Sequence, residues 1–187
     1  EERSDFNITG NPTLRTLFLR KYTTSHEGEY TVTRLAAVPE DSLMDMPMLF
    51  EFADGTFMAI TEAALVDYAG MYLVKHSGTL TSQLSPLPDG SGVKVRAGLP
   101  HRSPWRVLMI ADRIGGLVES NILTSLNAPC AIDDVSWIRP GKTTWSWWNG
   151  NITPDTTFVP GNNYETHKYY IDFCAAHAIQ YHSVIEY

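Results

Sequence analysis

The chain has 187 residues, of which 43% are hydrophobic and 19% charged, so it carries enough apolar side chains for a globular core and is not a disordered chain. Acidic residues outnumber basic ones by 21 to 14, and the formal charge of −7 argues against nucleic acid or an anionic membrane surface as a partner. No apolar run approaches the roughly 18 residues that a membrane span requires.

The first hundred residues predict a β-rich domain. Runs of β-branched and aromatic residues are separated by clusters of Gly, Pro, Asp and Ser, which is the pattern of short antiparallel strands joined by turns. A series of such strands favours a β-sandwich. Besides the hairpin described next, strands are predicted over residues 14–22, 29–37, 70–76, 79–84, 92–97 and 105–111.

The strongest local signal is a β-hairpin over residues 47–61 (PMLFEFADGTFMAIT). Apolar and polar side chains alternate along both arms, as expected for strands with one buried face. The turn falls at Asp54-Gly55, a pair that is preferred in tight type I′ turns because both central positions need a positive φ. The sequence therefore predicts a type I′ hairpin here.

The pattern changes after Pro104. Asn162 and Glu165 resemble a capping box, which predicts a helix that begins after Asn162 and runs to about Ala178. The other elements predicted in this part are a short helix over residues 115–126, a buried strand over 143–148 and a second strand over 179–187.

A strand, a helix and a strand in this order form a βαβ unit, which is normally parallel and right-handed. Two parallel strands and one helix cannot cover each other's apolar faces, and a complete (β/α)₈ barrel needs about 250 residues. The predicted fold is therefore the C-terminal part of an N-terminal β-sandwich domain over residues 1–103, followed over residues 104–187 by a linker helix and the first strands and helix of an incomplete (β/α)₈ barrel. We expect the chain to be a piece of a longer, multidomain protein.

Four of the five tryptophans lie within residues 137–148. Indole rings stack on the C–H faces of sugars, and amide groups bind sugar hydroxyls, so this cluster points to a saccharide site. Trp147, Trp148 and Asn149 are the candidate substrate-binding residues. The alternative is that the rings only fill an interface between the sandwich and the barrel, because tryptophan is highly buried on average.

Several uncommon sequence motifs occur in order along the chain: FADGT (52–56), ITEA (60–63), SPWRVLMIAD (103–112), LVES (117–120), WIRPGK (137–142), WSWW (145–148) and YYIDF (169–173). Together they resemble glycoside hydrolase family 97. The resemblance covers roughly residues 40–187 and includes both predicted domains.

This resemblance implies an exo-acting α-glycosidase, either an α-glucosidase or an α-galactosidase, that acts on oligosaccharides or aryl α-glycosides. It also implies a Ca²⁺ cofactor near the reaction centre, with one ligand from the sandwich, and Glu62 stands at the matching position. Carboxylate oxygens are the ligands that Ca²⁺ prefers. Judged by the strand pattern alone, Glu62 could equally be a solvated carboxylate at the end of a strand.

Glycoside hydrolysis needs two carboxyl groups on either side of the scissile bond. In the family that this chain resembles, the main pair lies later in the barrel than Tyr187. Glu186 is the remaining candidate, because it falls near the carboxyl end of the second barrel strand, where barrel active sites are built. Many relatives carry an Asp-Glu-Gly-Trp run at this point, whereas this chain reads Ile185-Glu186-Tyr187.

Two hypotheses of function follow. The first is the opening part of a calcium-dependent α-glycosidase that is exported to the periplasm or secreted by a bacterium, with its signal peptide not present in this chain. The second is a non-catalytic carbohydrate-binding module that uses the aromatic cluster of residues 137–149. A binding module needs these rings exposed on a face of the sandwich, whereas a barrel strand places them inside the barrel or at its mouth.

Overall fold

The computed structural model describes residues 3–22, 26–154 and 157–184, without the side chain of Asn149. The chain divides into two compact units, residues 1–129 and residues 130–187. Of the helices in the described ranges, none is long and apolar enough to cross a bilayer.

The first unit is built from short strands and two short α-helices. Its strands are β1 Asp5–Phe6, β2 Thr13–Thr16, β3 Phe18–Leu19, β4 Thr31–Arg34, β5 Leu43–Met44, β6 Met48–Glu51, β7 Phe57–Ala63, β8 Met71–His76, β9 Thr79–Leu84 and β10 Trp105–Ala111. A 3₁₀ turn follows β4 at Leu35–Ala37, and the helices are α1 Ile114–Glu119 and α2 Ile122–Ser125.

These strands form two antiparallel sheets in the described part of the chain. The first sheet has the order β1-β9-β8-β5-β3, and the second has the order β10-β7-β6-β2-β4. Buried and partly exposed side chains alternate along β8 and β9, the period of a strand with one face in the core. Both sheets contribute to one hydrophobic core, in which Leu14, Phe50, Ile60 and Leu73 are fully buried. The predicted β-sandwich is confirmed.

The predicted hairpin forms between β6 and β7, but its turn differs in type. Phe52 N donates to Thr56 O at 2.9 Å, and Gly55 N donates to Phe52 O at 3.1 Å. Gly55 has a φ of +84°, whereas Asp54 is not among the residues with positive φ. The type I′ prediction is therefore wrong, because that turn needs a positive φ at both positions. Asp54 instead uses its carboxylate to accept Thr56 N at 2.9 Å.

Three predicted strands are shorter than expected or do not form. The run 14–22 is divided into β2 and β3, and the run 29–37 forms β4 and then the 3₁₀ turn. Residues 92–97 form no strand. Here Val93 O accepts Leu87 N at 2.7 Å and closes a loop, rather than entering a ladder with a neighbouring strand.

The first unit continues past the domain boundary predicted at Pro104, because the next strand, β10, belongs to it. β10 pairs antiparallel with β7 over seven residues, from Trp105 opposite Ala63 to Ala111 opposite Phe57. A small apolar cluster of Ala59, Ala63, Val107 and Met109 then packs against Leu117, Leu123 and Leu126 of the helical segment. Residues 104–129 therefore complete the first unit instead of opening the second.

The second unit contains the predicted strand–helix–strand sequence. Its elements are β11 Thr143–Trp145, a 3₁₀ helix Ser146–Asn149, α3 Tyr164–Ala176 and β12 Tyr181–Ser183. β11 and β12 pair in parallel, which confirms the βαβ arrangement. The rest of the barrel is not contained in the described residues and stays a prediction.

Two details of this unit differ from the sequence prediction. The helix cap is Asn163, one residue later than predicted; its side chain accepts Thr166 N at 2.9 Å, and the Thr166 hydroxyl accepts Gly161 N instead of completing a capping box. β11 is half-exposed rather than buried, and it ends at Trp145, where the chain turns into the 3₁₀ helix.

Lys75 on β8 holds the 3₁₀ turn of the first unit. Its Nζ donates to Val38 O at 2.8 Å and to Ala36 O at 3.1 Å, and Glu40 Oε1 lies 3.7 Å away. The Lys75 side chain is almost completely buried, and so is its contact with Val38 O, whereas its contact with Ala36 O is partly exposed.

We expect Lys75→Met to lower the free energy of unfolding of the first unit by about 2 kcal/mol, because it leaves the buried Val38 carbonyl and the partly buried Ala36 carbonyl without a charged donor. Hydrogen exchange of the β8 and β9 amides in urea measures the change. Lys168→Met is the control, since Lys168 is exposed and pairs with Asp172 one helical turn away. A loss at Lys75 no larger than at Lys168 would show that the buried ammonium group contributes no more than a surface pair.

Candidate functional site

Glu62 lies near the end of β7, directly opposite Arg106 on β10. Arg106 Nη1 donates to Glu62 Oε2 at 2.6 Å. Met71 N, at the start of β8, donates to the same carboxylate at 3.1 Å to Oε1 and 3.3 Å to Oε2. Since β8 belongs to the other sheet, the Glu62 carboxylate connects the two sheets of the sandwich.

This carboxylate is shielded from solvent. The Glu62 side chain is 14% exposed and the Arg106 side chain 11% exposed. A Cβ added at Gly70 would lie 3.7 Å from Glu62 Oε1, which shows how closely the chain passes the carboxylate. The alternative of a solvated carboxylate at a strand end is therefore wrong.

The hydrogen-bond donors around Glu62 limit how many of its lone pairs could bind the expected Ca²⁺ ion. Calcium takes about six to eight oxygen ligands, and a carboxylate has about four lone-pair sites. Two N–H donors occupy part of Glu62, so one or two lone pairs remain for a cation. In residues 3–22, 26–154 and 157–184, no group of three or more His, Cys, Asp and Glu side chains is placed to hold a metal. Glu62 could therefore contribute a calcium ligand, but no cluster of acidic or histidine side chains in these residues completes a site around it.

A cleft of about 970 Å³ borders the loop that follows β7. Ala64 and Asp67 have left-handed backbones, with φ of +53° and +49°. Asn127 Oδ1 accepts Ala64 N at 3.0 Å, and the His101 ring contacts Asp67 O at 3.1 Å. The sequence does not predict this cleft. The loop beside it depends on left-handed conformations at an Ala and an Asp, and neither residue type indicates that conformation as strongly as Gly does.

The aromatic cluster of the second unit is held together by its own rings. The Trp145 ring lies 5.2 Å from the Trp147 ring, with 24° between their planes, and 5.6 Å from the Trp148 ring. Trp147 is 49% exposed and Trp148 is 74% exposed. They belong to the 3₁₀ helix that follows a parallel strand, and not to a face of the sandwich.

Two predicted site residues cannot be compared with the structure in full. Glu186 lies outside the described residues, together with the end of the predicted final strand, and nothing is described of the Asn149 side chain. Trp147 and Trp148 each pack against Trp145, and their role in substrate binding stays a prediction. It places Glu62 in the first unit with partners that the sequence did not predict, namely Arg106 and the backbone of Met71.

Comparison with known proteins agrees with this geometry. Residues 1–129 match the family model described as glycosyl-hydrolase 97 N-terminal. The chain is 32% identical to a retaining alpha-galactosidase of Bacteroides thetaiotaomicron, over 84% of this chain and 26% of that protein.

Solved structures give the same result. A glycoside hydrolase family 97 enzyme of Pseudoalteromonas sp. strain K8 in complex with panose superposes with a TM-score of 0.80 at 32% identity, over 95% of this chain and 27% of that one. The same organism's enzyme in complex with acarbose gives a TM-score of 0.79 at 31% identity. This chain spans about a quarter of the length of these relatives. The chain belongs to glycoside hydrolase family 97, and its residues 1–129 correspond to the N-terminal domain of that family.

Proposed function

We propose that the protein containing this chain is an exo-acting α-glycosidase that releases a terminal α-linked galactose or glucose. The observation that carries the proposal is the family membership over 129 residues, supported by 32% identity to a retaining alpha-galactosidase. The relatives bound to panose and acarbose indicate an oligosaccharide substrate. Export to the periplasm or the medium stays a prediction.

In this proposal the chain supplies binding and positioning groups. Glycoside hydrolysis uses two carboxyl groups, one of them protonated. Glu62 is held as an acceptor by Arg106 and Met71 N, so it is not free to act as the acid. As the resemblance to the family implies, we place the main acid and base in the part of the protein that follows Tyr187, with Glu186 as the candidate from this chain.

The test is hydrolysis of p-nitrophenyl glycosides by the full-length protein. We expect release of nitrophenol from the α-galactoside or the α-glucoside, and none from the two β-anomers as matched controls. Turnover of neither α-glycoside by a folded full-length protein would contradict the proposal. The ratio of kcat/KM for the two α-glycosides decides the preferred sugar.

Calcium dependence is a separate proposal for the full-length protein. Glu62 is the residue of this chain that would bind the ion, because its carboxylate is fixed in place and keeps unoccupied lone pairs. When bound, the ion would supply a fixed positive charge beside the substrate. The remaining ligands would come from residues outside the described ranges.

We further propose that Trp148 provides a face for a sugar ring. In the full-length enzyme, Trp148→Ala is expected to raise KM by about tenfold with little change in kcat, since an aromatic contact is worth about 1 kcal/mol beyond the area it buries. Trp105→Ala is the control, because Trp105 is also exposed (57%) but lies on β10 of the sandwich. Equal effects of the two substitutions would assign no sugar contact to Trp148.

A binding module is the second candidate, and the exposure of Trp147 and Trp148 favours it. Their position on a 3₁₀ helix after a parallel strand of the second unit, rather than on a strand of the sandwich sheets, favours the enzyme. Calorimetric titration of residues 1–187 with panose distinguishes the two. A module binds the sugar without the rest of the protein, whereas the enzyme proposal expects no saturable binding by this chain alone.

A further inference from the structure

A continuous chain of polar contacts runs through the second unit. His167 Nδ1 on α3 lies 3.0 Å from His182 Nε2 on β12, and His182 Nδ1 lies 2.9 Å from Thr144 Oγ1 on β11. At one end, His167 Nε2 lies 2.7 Å from Asn162 Oδ1. At the other end, Thr144 Oγ1 lies 3.1 Å from Cys174 Sγ on α3. The chain therefore links the helix to both strands.

The direction of the hydrogen bonds follows from the Asn162 carbonyl oxygen, which only accepts. His167 Nε2 must carry the hydrogen, so a neutral His167 accepts at Nδ1. His182 then donates from Nε2 and accepts at Nδ1 from the Thr144 hydroxyl. Thr144 Oγ1 can in turn accept from the Cys174 thiol. With both imidazoles neutral, every contact pairs one donor with one acceptor.

The same chain has room for one added proton. An added proton binds at His182 Nδ1, which then donates to Thr144 Oγ1, while the hydrogen already present between His182 Nε2 and His167 Nδ1 stays there. The Thr144 hydroxyl then donates to Cys174 Sγ, and the thiol donates to Tyr181 O at 3.2 Å. A second proton would place two N–H groups against each other across 3.0 Å, which repels and leaves no acceptor between them.

The surroundings contain little that would compensate a second charge. β11 has no titratable side chain, and from β12 the Tyr181 hydroxyl donates to Arg139 O. From α3, the Tyr170 ring stacks on His182 at 5.6 Å, with 8° between the planes. The charged residues of α3 are Glu165, Lys168 and Asp172, and all three are exposed. Lys168 forms an ion pair with Asp172. In the described residues, no carboxylate accepts a hydrogen bond from either imidazole.

These groups set the sign of the pH dependence. Burial lowers the pKa of His182, and the neighbouring His167 lowers it further, against a smaller opposing effect of Thr144. A histidine whose pKa is lower in the folded than in the unfolded state favours folding above its unfolded pKa of about 6.5. That contribution is lost progressively as the pH falls from there towards the folded pKa.

We propose that His167 and His182 form a pH-sensitive lock that shares at most one proton, and that acidification releases α3 from the β11–β12 pair. The lock acts on the second unit alone, and it is independent of the proposed glycosidase activity. The proton is the ligand that controls the His167–His182 pair, so no other molecule is required.

The experiment uses residues 1–187 without substitution and follows the imidazole ¹⁵N shifts by NMR from pH 8 to pH 5. We expect the His182 ring to report a titration step, and hydrogen exchange protection of the α3 amides, corrected for intrinsic rates, to fall about fivefold or more across it. A His182 titration that leaves this protection unchanged would overturn the proposal.

Variants separate the lock from a general acid effect. In His167→Gln, His182 is expected to titrate at a higher pH, and the protection change is expected to shrink. His177→Gln is the matched control, because His177 lies at the end of the same helix and contacts Phe173 O rather than the pair. If His177→Gln shifts the His182 titration as much as His167→Gln does, the pair is not the responsible element.

Discussion

Replacing Arg106 with methionine is expected to lower the free energy of unfolding of the first unit by about 3 to 5 kcal/mol. The substitution keeps the side-chain volume but leaves the Glu62 carboxylate, which is 14% exposed, with Met71 N as its remaining described donor. Breaking one side of a buried ion pair has a cost of about this size, because it leaves a desolvated charge uncompensated. Urea unfolding of residues 1–187 measures it.

Two variants make this measurement specific. Arg15→Met removes a pair of similar length, 2.8 Å to Glu51, whose side chains are 37% and 40% exposed, and is expected to cost less than about 1 kcal/mol. The double variant Glu62→Gln with Arg106→Met is expected to be more stable than the sum of the single losses predicts, because no charge is then left buried. An Arg106→Met loss as small as that of Arg15→Met would contradict the buried pair.

Calcium is expected to stabilise the full-length protein but not residues 1–187. At a concentration about 100 times its dissociation constant, a ligand of the native state adds about 2.7 kcal/mol to the free energy of unfolding. For the chain alone we expect no change in Tm with 1 mM Ca²⁺ or with a chelator, since the described residues supply one carboxylate that Arg106 already neutralises in part.

Glu62→Gln in the full-length protein is the accompanying variant. If Glu62 is a ligand, the calcium-dependent rise in Tm is lost or much reduced. Glu51→Gln, on the neighbouring strand and paired with Arg15, is the matched control and is expected to keep the rise. A full calcium response in Glu62→Gln would remove Glu62 from the ligand set, and a response by the chain alone would show a calcium site that the described residues do not reveal.

Local features of the fold could be predicted from the sequence. The β6–β7 hairpin and β8, β9 and β10 have clear alternation bounded by turn residues, so their positions agree with the prediction closely. The parallel β11–α3–β12 unit also follows from the order of its elements and the helix cap. The turn type and the position of the helix cap were predicted less accurately. For the cap, Asn162 and Asn163 are adjacent and either could serve as the N-cap of α3.

The features that the sequence did not predict depend on contacts between residues far apart in the chain. Pro104 marks the start of a strand, and only the pairing of β10 with β7 reveals that this strand continues the sandwich. The same pairing places Arg106 beside Glu62, which converts a candidate solvated carboxylate into half of a buried ion pair. His167 and His182 are 15 residues apart in the sequence, and their contact depends on how α3 packs against β12. No periodicity in the sequence predicts that packing.

The family motifs found the aromatic residues and Glu62 but not their surroundings. Trp147 and Trp148 were identified from the tryptophan cluster and the WSWW motif, and the structure adds that their rings pack on Trp145 and remain exposed. Glu62 was identified by its place in the ITEA motif. Its shielding and its link to Met71 on the other sheet arise from tertiary packing.

Hydrolysis of p-nitrophenyl α-galactoside and α-glucoside by residues 1–187 and by the full-length protein, side by side at equal concentration, tests the central claim most directly. If this chain is the sandwich and the opening βαβ unit of a family 97 glycosidase, the full-length protein turns over at least one of the two substrates and the chain alone turns over neither. Turnover by the chain alone, or by neither protein when both are folded, would contradict it.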